Sequence, residues 1–161
     1  MNIPDGFSAP GAMRSPYTIR QVVAWGEMDV LGHVNNAVYL RWIESVRSHY
    51  FEMVGINALF AAERIGPILA RVELNFLSTI DFPDELWLST EVVRLGNSSF
   101  TMRNRIWSPK RDKICASGEA VIVMIDYGCG DKAVRVPEPI RAAMRAIEGA
   151  AMIEESRIGG A

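Results

Sequence analysis

Residues 28–40 read MDVLGHVNNAVYL and carry the strongest structural signal in the chain. The first part has the composition of a loop, in which Gly32 suits a position with positive φ. Asn35 or Asn36 can cap a helix, because a short amide oxygen accepts hydrogen bonds from the free N–H groups of the first turn. The stretch therefore predicts a loop that leads directly into a helix.

The helix continues well beyond this stretch. Its apolar side chains recur every three or four residues, which places them on one broad face, and Gly55 supplies a stop signal. An element of roughly eighteen residues spans about 27 Å, enough to lie along a whole sheet. The apolar face consists of Tyr39, Trp42, Ile43, Val46, Tyr50, Phe51 and Val54.

Strand patterns lie on both sides of this helix. The segment YTIRQVVAW at 17–25 is rich in β-branched and aromatic residues, and residues 68–77 alternate strictly between two sets of side chains. Three further strands joined by short turns are predicted at 85–95, 99–107 and 113–127. One apolar helix face beside such a meander predicts an α+β fold in which an antiparallel sheet of about five strands wraps around the helix.

Two segments are less clear. Residues 56–67 are ambiguous, whereas PEPIRAAMRAIEG at 137–149 predicts a short helix that starts after its prolines. We expect a loose arm at 1–16, one globular domain at 17–148 and a frayed tail at 149–161.

Composition limits the possible partners and the compartment. The 161 residues are 49% hydrophobic, enough for a core, and 17 basic against 19 acidic residues give a net charge of -2. This charge offers no general attraction to nucleic acid or anionic membranes. Cys115 and Cys129 lack CxxC or metal-ligand spacing, so we expect reduced thiols in a cytoplasmic protein without a metal.

Neither a leader nor a nucleotide cofactor is indicated. Prolines and an acid interrupt residues 1–16, where a signal peptide needs an unbroken apolar run, and no apolar segment is long enough to cross a membrane. There is no GxGxxG after a strand, no GxxxxGK[ST] loop and no GxSxG elbow, so we expect no organic cofactor.

Asp29 has two interpretations. It can accept backbone hydrogen bonds in an Asx-type turn, which is a purely structural use. Alternatively, its carboxylate lies six residues before Asn35, close enough in sequence to face a carbonyl held at the helix N-terminus. The free N–H groups there suit an oxygen that gains negative charge during acyl transfer. Asp29 would then act as nucleophile or general base.

Other candidates are weaker. His33 can orient substrate or steer a proton, or it can simply bond to nearby backbone. Glu44 can contact substrate, but Arg41 and Arg47 flank it at ion-pair spacing on the helix. A structural role is favoured for His49. A solvated hairpin tip is favoured for the basic residues Lys110, Arg111 and Lys113, although they could contact the phosphates of a carrier.

The stretch WGEMDVLGHVNNAVYLRWIESVR at 25–47 resembles the signature of hotdog-fold acyl-CoA thioesterases of the 4-hydroxybenzoyl-CoA thioesterase type, and the resemblance covers roughly residues 17–127. It implies a five-stranded antiparallel sheet curled around the long helix. It also implies a homodimer or homotetramer with active sites at subunit interfaces.

The resemblance also implies site residues. Asp29 would attack the thioester or activate water, and a backbone N–H near Asn35 or Asn36 would polarise the carbonyl. The GHVNN portion is similar to acyl-carrier-protein thioesterases, whose motif supplies Asn and His side chains. His33 is thus a further catalytic candidate, and three residues are expected to contact substrate: Gly32, Val34 and Glu44.

Several functions fit the resemblance. The substrate can be an acyl-CoA or an acyl-carrier-protein thioester. Hotdog relatives also include non-catalytic acyl-CoA-binding proteins and hydratases or dehydratases, because a fold does not fix a reaction. The aspartate ahead of a Gly-containing loop favours thioester hydrolysis among these.

Overall fold

A computed structural model describes Ser15 and residues 17–154. The arm predicted at 1–16 lies outside the described residues except for Ser15, and so do positions 155–161 of the predicted tail. The described elements, in chain order, are strand β1 (Tyr17–Val22), helix α1 (Asn36–Met53), helix α2 (Ile56–Glu63), strands β2 (Ile65–Phe76), β3 (Glu85–Leu95), β4 (Ser99–Ser108), β5 (Lys113–Asp126) and β6 (Lys132–Ala133), helix α3 (Glu138–Glu148) and strand β7 (Ile153–Glu154).

The main strands form one sheet in the order β1-β3-β4-β5-β2. Strand β1 runs antiparallel to β3, with Tyr17 opposite Thr90 and Val22 opposite Glu85. The short strands extend the sheet locally, since β6 pairs with β5 and β7 pairs with β3. The predicted α+β hotdog fold, an antiparallel sheet with a long central helix, is confirmed.

Residue contacts group the described chain into two compact units. The first consists of described residues within 1–49, 74–90 and 104–118, and the second of those within 50–73, 91–103 and 119–161.

The first unit has an apolar core built on the predicted helix face. Trp42 is 2% exposed and Val46 is fully buried. Side chains of β3 and β4 pack in the same core: Leu86, Leu88 and Ile106. Burial of each such side chain contributes about 1.5–3 kcal/mol, so this face holds α1 in place.

The second unit is tied together by a buried polar contact. Glu148, at the end of α3, accepts hydrogen bonds through Oε1 from the Tyr50 hydroxyl at 2.7 Å and the Val92 N–H at 2.8 Å. Arg141 of the same helix donates from Nη1 to the Gly96 carbonyl at 2.7 Å. These contacts fix α3, the helix predicted at 137–149.

The ambiguous segment 56–67 contains both kinds of structure. It forms α2 and then the first residues of β2, which begins at Ile65 rather than at residue 68. Gly55 has φ +85°, so it ends α1 as predicted and starts α2 in a conformation that favours glycine. A Cβ at Gly66, the second residue of β2, would lie 2.8 Å from the Phe60 ring, so a larger residue there would displace this ring.

The first strand is shorter than predicted. It ends at Val22, and Trp25–Glu27 forms a single 3-10 turn closed by the Glu27 N–H on the Ala24 carbonyl at 3.0 Å. The turn redirects the chain into the loop that precedes α1.

Candidate active site

Asn35 is the residue that caps α1. Its side-chain Oδ1 accepts the Ala37 N–H at 2.9 Å, and its carbonyl accepts the Val38 N–H at 3.0 Å. Asn36 is therefore the first residue of the helix. Among the described residues, no acceptor is found for the Asn36 backbone N–H, so it can bind an external oxygen.

The loop before the cap is a closed turn. Met28 and Val34 form an antiparallel bridge, and within it the Asp29 N–H donates to the His33 carbonyl at 2.7 Å. Gly32 has φ +77° and donates to the Asp29 carbonyl at 3.1 Å. The positive φ explains why glycine occupies this position.

The Asp29 carboxylate forms the Asx-type turn of the structural interpretation. Its Oδ1 accepts the Leu31 N–H at 2.8 Å and the His33 N–H at 3.4 Å. Both bonds use the same oxygen and the residue is exposed, so the second oxygen stays accessible to solvent. The turn therefore orients the carboxylate and leaves its second oxygen accessible.

A cavity of about 320 Å³ lies beside the helix start, within the first unit. It brings together three of the predicted site residues, His33, Val34 and Asn36. Its opposite wall is the segment at the end of β2 and just after it: Phe76, Leu77, Ser78 and Thr79. Four predicted residues do not line it: Asp29, Gly32, Asn35 and Glu44.

Tyr39 closes the inner end of this cavity. It is 3% exposed, and its ring meets Phe76 edge to face, with centroids 5.1 Å apart. Burial raises the pKa of the Tyr39 hydroxyl to about 12, and nearby Cys115 adds to the effect. Burial also raises the pKa of the Cys115 thiol, so both groups are neutral at physiological pH. Tyr39 therefore adds no charge to the cavity wall.

Backbone hydrogen bonds hold the opposite wall in place. The N–H groups of Leu77 and Ser78 both donate to the Cys115 carbonyl, at 2.8 and 3.1 Å. The Val34 N–H donates to the Ile80 carbonyl at 2.8 Å, which joins the loop to this segment. The cavity is thus bounded by fixed backbone on both sides.

The remaining candidates lie away from the cavity. Glu44 is exposed on α1, and its charge acts on Arg47, whose pKa is lowered by burial and partly restored by Glu44. His49 bonds through Nδ1 to the Ser45 carbonyl at 2.8 Å. These contacts match the structural alternatives for both residues.

Two basic residues of the turn between β4 and β5 form ion pairs within the described structure. Lys110 and Arg111 each contact Asp81 at 2.8 Å, and the Lys110 bond lowers the pKa of that carboxyl, with Arg111 contributing. The described residues contain no group of three or more His, Cys, Asp or Glu side chains placed to hold a metal. Every helix in the described part of the chain is too short or too polar to span a lipid bilayer.

The sequence pattern missed most of the cavity wall. It places Tyr39 only on the apolar helix face and Leu77 only at the end of a predicted strand, and residues 78–79 carry no signal of their own. Their position becomes clear only when β2 and the loop after it fold back onto the helix start.

Comparison with known proteins identifies the class. Residues 23–144 match the family model of the thioesterase-like superfamily, and the chain belongs to that family. Hotdog-fold thioesterases are thus the class that fold and sequence define.

Several individual proteins are similar to this chain. A thioesterase from Thermus thermophilus, solved in complex with coenzyme A and Zn, is 32% identical, with a TM-score of 0.72 over 84% of this chain and 96% of that one. The PA2801 protein of Pseudomonas aeruginosa is 29% identical, with a TM-score of 0.71 over 80% and 98% of the two chains. Protein YsmA of Bacillus subtilis strain 168 is 24% identical over 67% of this chain and 71% of its own length.

Proposed function

We propose that this protein hydrolyses acyl-CoA thioesters in the cytoplasm. The observation that carries the proposal is the loop 28–36, which presents an accessible Asp29 carboxylate and ends at the unbonded N–H of Asn36 beside a cavity. Family membership and the coenzyme A bound to the Thermus relative support a CoA thioester as substrate.

The reaction needs few groups. The thioester carbonyl would accept the Asn36 N–H, which stabilises the oxygen as it becomes negative. Asp29 would either attack the carbonyl carbon or remove a proton from water that attacks it. When the C–S bond breaks, the first route leaves an acyl–Asp29 anhydride that water then hydrolyses, whereas the second route gives the acid directly. In both routes RCO–SCoA and water become RCOO⁻, CoASH and a proton. His33, which lines the cavity, would contact the leaving group or the attacking water.

The site is proposed to be completed by a second copy of the chain. Strand β2 forms one edge of the sheet, and three of its apolar side chains are exposed: Ile68 at 44%, Leu69 at 43% and Val72 at 37%. Exposed apolar edges promote pairing with another strand. Pairing through β2 would bring a partner next to the loop that follows this strand, and hence next to the cavity wall.

The test is release of free thiol across short, long, branched and aromatic acyl-CoAs, measured for the native protein and for Asp29→Asn. We expect hydrolysis of at least one of these thioesters and a loss of at least about 100-fold in kcat for the variant. Asp126→Asn is the matched control, because Asp126 also holds its own turn, through the Gly128 N–H at 2.8 Å, and does not line the cavity.

The same assay, together with calorimetry and acyl-carrier-protein thioesters as additional substrates, decides between the alternatives. Equal turnover by Asp29→Asn and the native protein would exclude Asp29 as the reacting carboxylate. Tight calorimetric binding of acyl-CoA without thiol release would instead indicate a binding protein. Hydrolysis confined to acyl-carrier-protein thioesters would assign the other carrier.

A further inference from the structure

Glu27 makes an unusual number of contacts for a residue just outside the loop. Its Oε2 accepts the Ala24 N–H at 2.9 Å, and its Oε1 accepts Trp42 Nε1–H at 3.3 Å together with the Arg41 guanidinium. The side chain is only 11% exposed, whereas Arg41 is 63% exposed. One carboxylate therefore joins the 3-10 turn to the second turn of α1.

The backbone of Glu27 makes a second connection. Its carbonyl accepts the N–H of Asn35, the helix cap, at 2.9 Å. The adjacent Met28–Val34 bridge closes the base of the loop. Glu27 thus holds both ends of the segment that contains Asp29 and terminates at Asn36.

These contacts determine the distance between the two proposed reacting groups. Asp29 lies two residues after Glu27, and the Asn36 N–H comes one residue after the cap that Glu27 binds. A shift of Glu27 relative to α1 would therefore move the carboxylate relative to the N–H. Displacement of a reacting group by about 1 Å can cost on the order of 10² in rate.

We propose that Glu27 is a positioning residue that sets the Asp29 loop against the N-terminus of α1. It touches neither the cavity nor the reacting atoms; it acts through Asn35, Arg41 and Trp42. The inference rests on the thioesterase function proposed above and extends it to a residue outside the loop 28–36.

The first measurement compares Glu27→Gln with Glu85→Gln. The amide in Glu27→Gln has one acceptor oxygen in place of two, so it cannot serve Ala24 and the α1 donors together. Glu85, on β3, forms an exposed ion pair with Arg20. We expect kcat to fall about 10- to 100-fold in Glu27→Gln, with KM within about threefold, and Glu85→Gln to match the native protein.

The second measurement does not depend on activity. Amide hydrogen exchange of Asn35, whose N–H donates to the Glu27 carbonyl, should accelerate by roughly tenfold in Glu27→Gln, while exchange in β4 stays unchanged. Arg41→Met, which removes only the exposed partner, should show a smaller change of the same sign. It provides the decisive comparison if Glu27→Gln does not fold.

The outcomes separate the two proposals. Native kcat together with native amide exchange in Glu27→Gln, or in Arg41→Met if the former is unfolded, would overturn the positioning role even if Asp29→Asn is inactive. A fall in stability with kcat per folded molecule unchanged would also overturn it, because that pattern indicates packing alone. If the native protein hydrolyses no thioester, the proposed function fails and the exchange measurement alone decides whether Glu27 positions the loop.

Discussion

Asn35 and Asn36 are adjacent residues with the same side chain and different physical roles. The Asn35 side chain accepts a helix N–H, whereas the Asn36 side chain makes no hydrogen bond within the described part of the chain. At Asn36 the useful group is the backbone N–H at the first helical position, which no acceptor in the described structure satisfies. Asn35 thus caps the helix, whereas binding of the substrate carbonyl is the role proposed for Asn36.

This division predicts different stabilities for two alanine variants. Asn35→Ala removes the cap on the Ala37 N–H and should lower the free energy of unfolding by about 1 kcal/mol. Asn36→Ala should change it by no more than about 0.5 kcal/mol. Urea denaturation of the two proteins measures both values, and equal losses would show that the cap assignment is wrong.

The sequence predicts the roles of those residues whose partners are close along the chain. A cap at Asn35 or Asn36 and the positive φ of Gly32 follow from local turn chemistry, so the pattern predicts both, although it does not choose between the two asparagines. The contacts of Glu27 are not predicted by the sequence, because its side-chain partners on α1 lie 14 and 15 residues away and no local spacing marks such a contact. The role of Asp29 in hydrolysis stays a prediction.

At the scale of single elements, periodicity determines what can be predicted. Helix α1 alternates apolar and polar faces, so its pattern predicts its bounds nearly to the residue. Helix α2, INALFAAE, is apolar on most sides and only eight residues long, so it shows no clear period. The wall of the cavity after β2 has no periodic pattern at all.

The stability of the protein is predicted to depend on pH through Glu148, at the end of helix α3. Burial raises the pKa of Glu148, partly opposed by the Val92 and Tyr50 hydrogen bonds, while the charge of Glu91 adds to the rise. A carboxyl with a raised folded-state pKa binds its proton more tightly in the native protein. Stability therefore falls as pH rises from the unfolded pKa to the folded pKa, by about 1.4 kcal/mol for each unit that separates them.

Glu148→Gln isolates this effect. Both hydrogen bonds use Oε1, so the amide oxygen can accept them without a buried charge. Relative to the native protein, the variant should become progressively more stable as pH rises from about 4, the unfolded pKa, through the folded value. Urea denaturation across this range measures the difference. A constant difference between the two proteins would show that folding does not shift the pKa of Glu148.

At the scale of the whole molecule, the two edges of the sheet differ. Strand β1 at one edge has six residues, whereas β2 at the other has twelve and exposes apolar side chains on both of its faces. A long exposed apolar edge favours association between chains. We propose that a second copy occupies it, because the resemblance implies a homodimer or homotetramer and pairing of identical edges gives a closed two-fold assembly.

Lysine substitutions at the two edges test this assembly. Val72→Lys places a charge on β2 and should dissociate the dimer, whereas Val22→Lys, at a site 55% exposed on β1, should leave it intact. Sedimentation equilibrium would then give the mass of one chain for the first variant and twice that mass for the second. Loss of thiol release only in the monomeric variant would show that the site needs the partner. Dissociation by Val22→Lys with a stable Val72→Lys dimer would place the interface on β1.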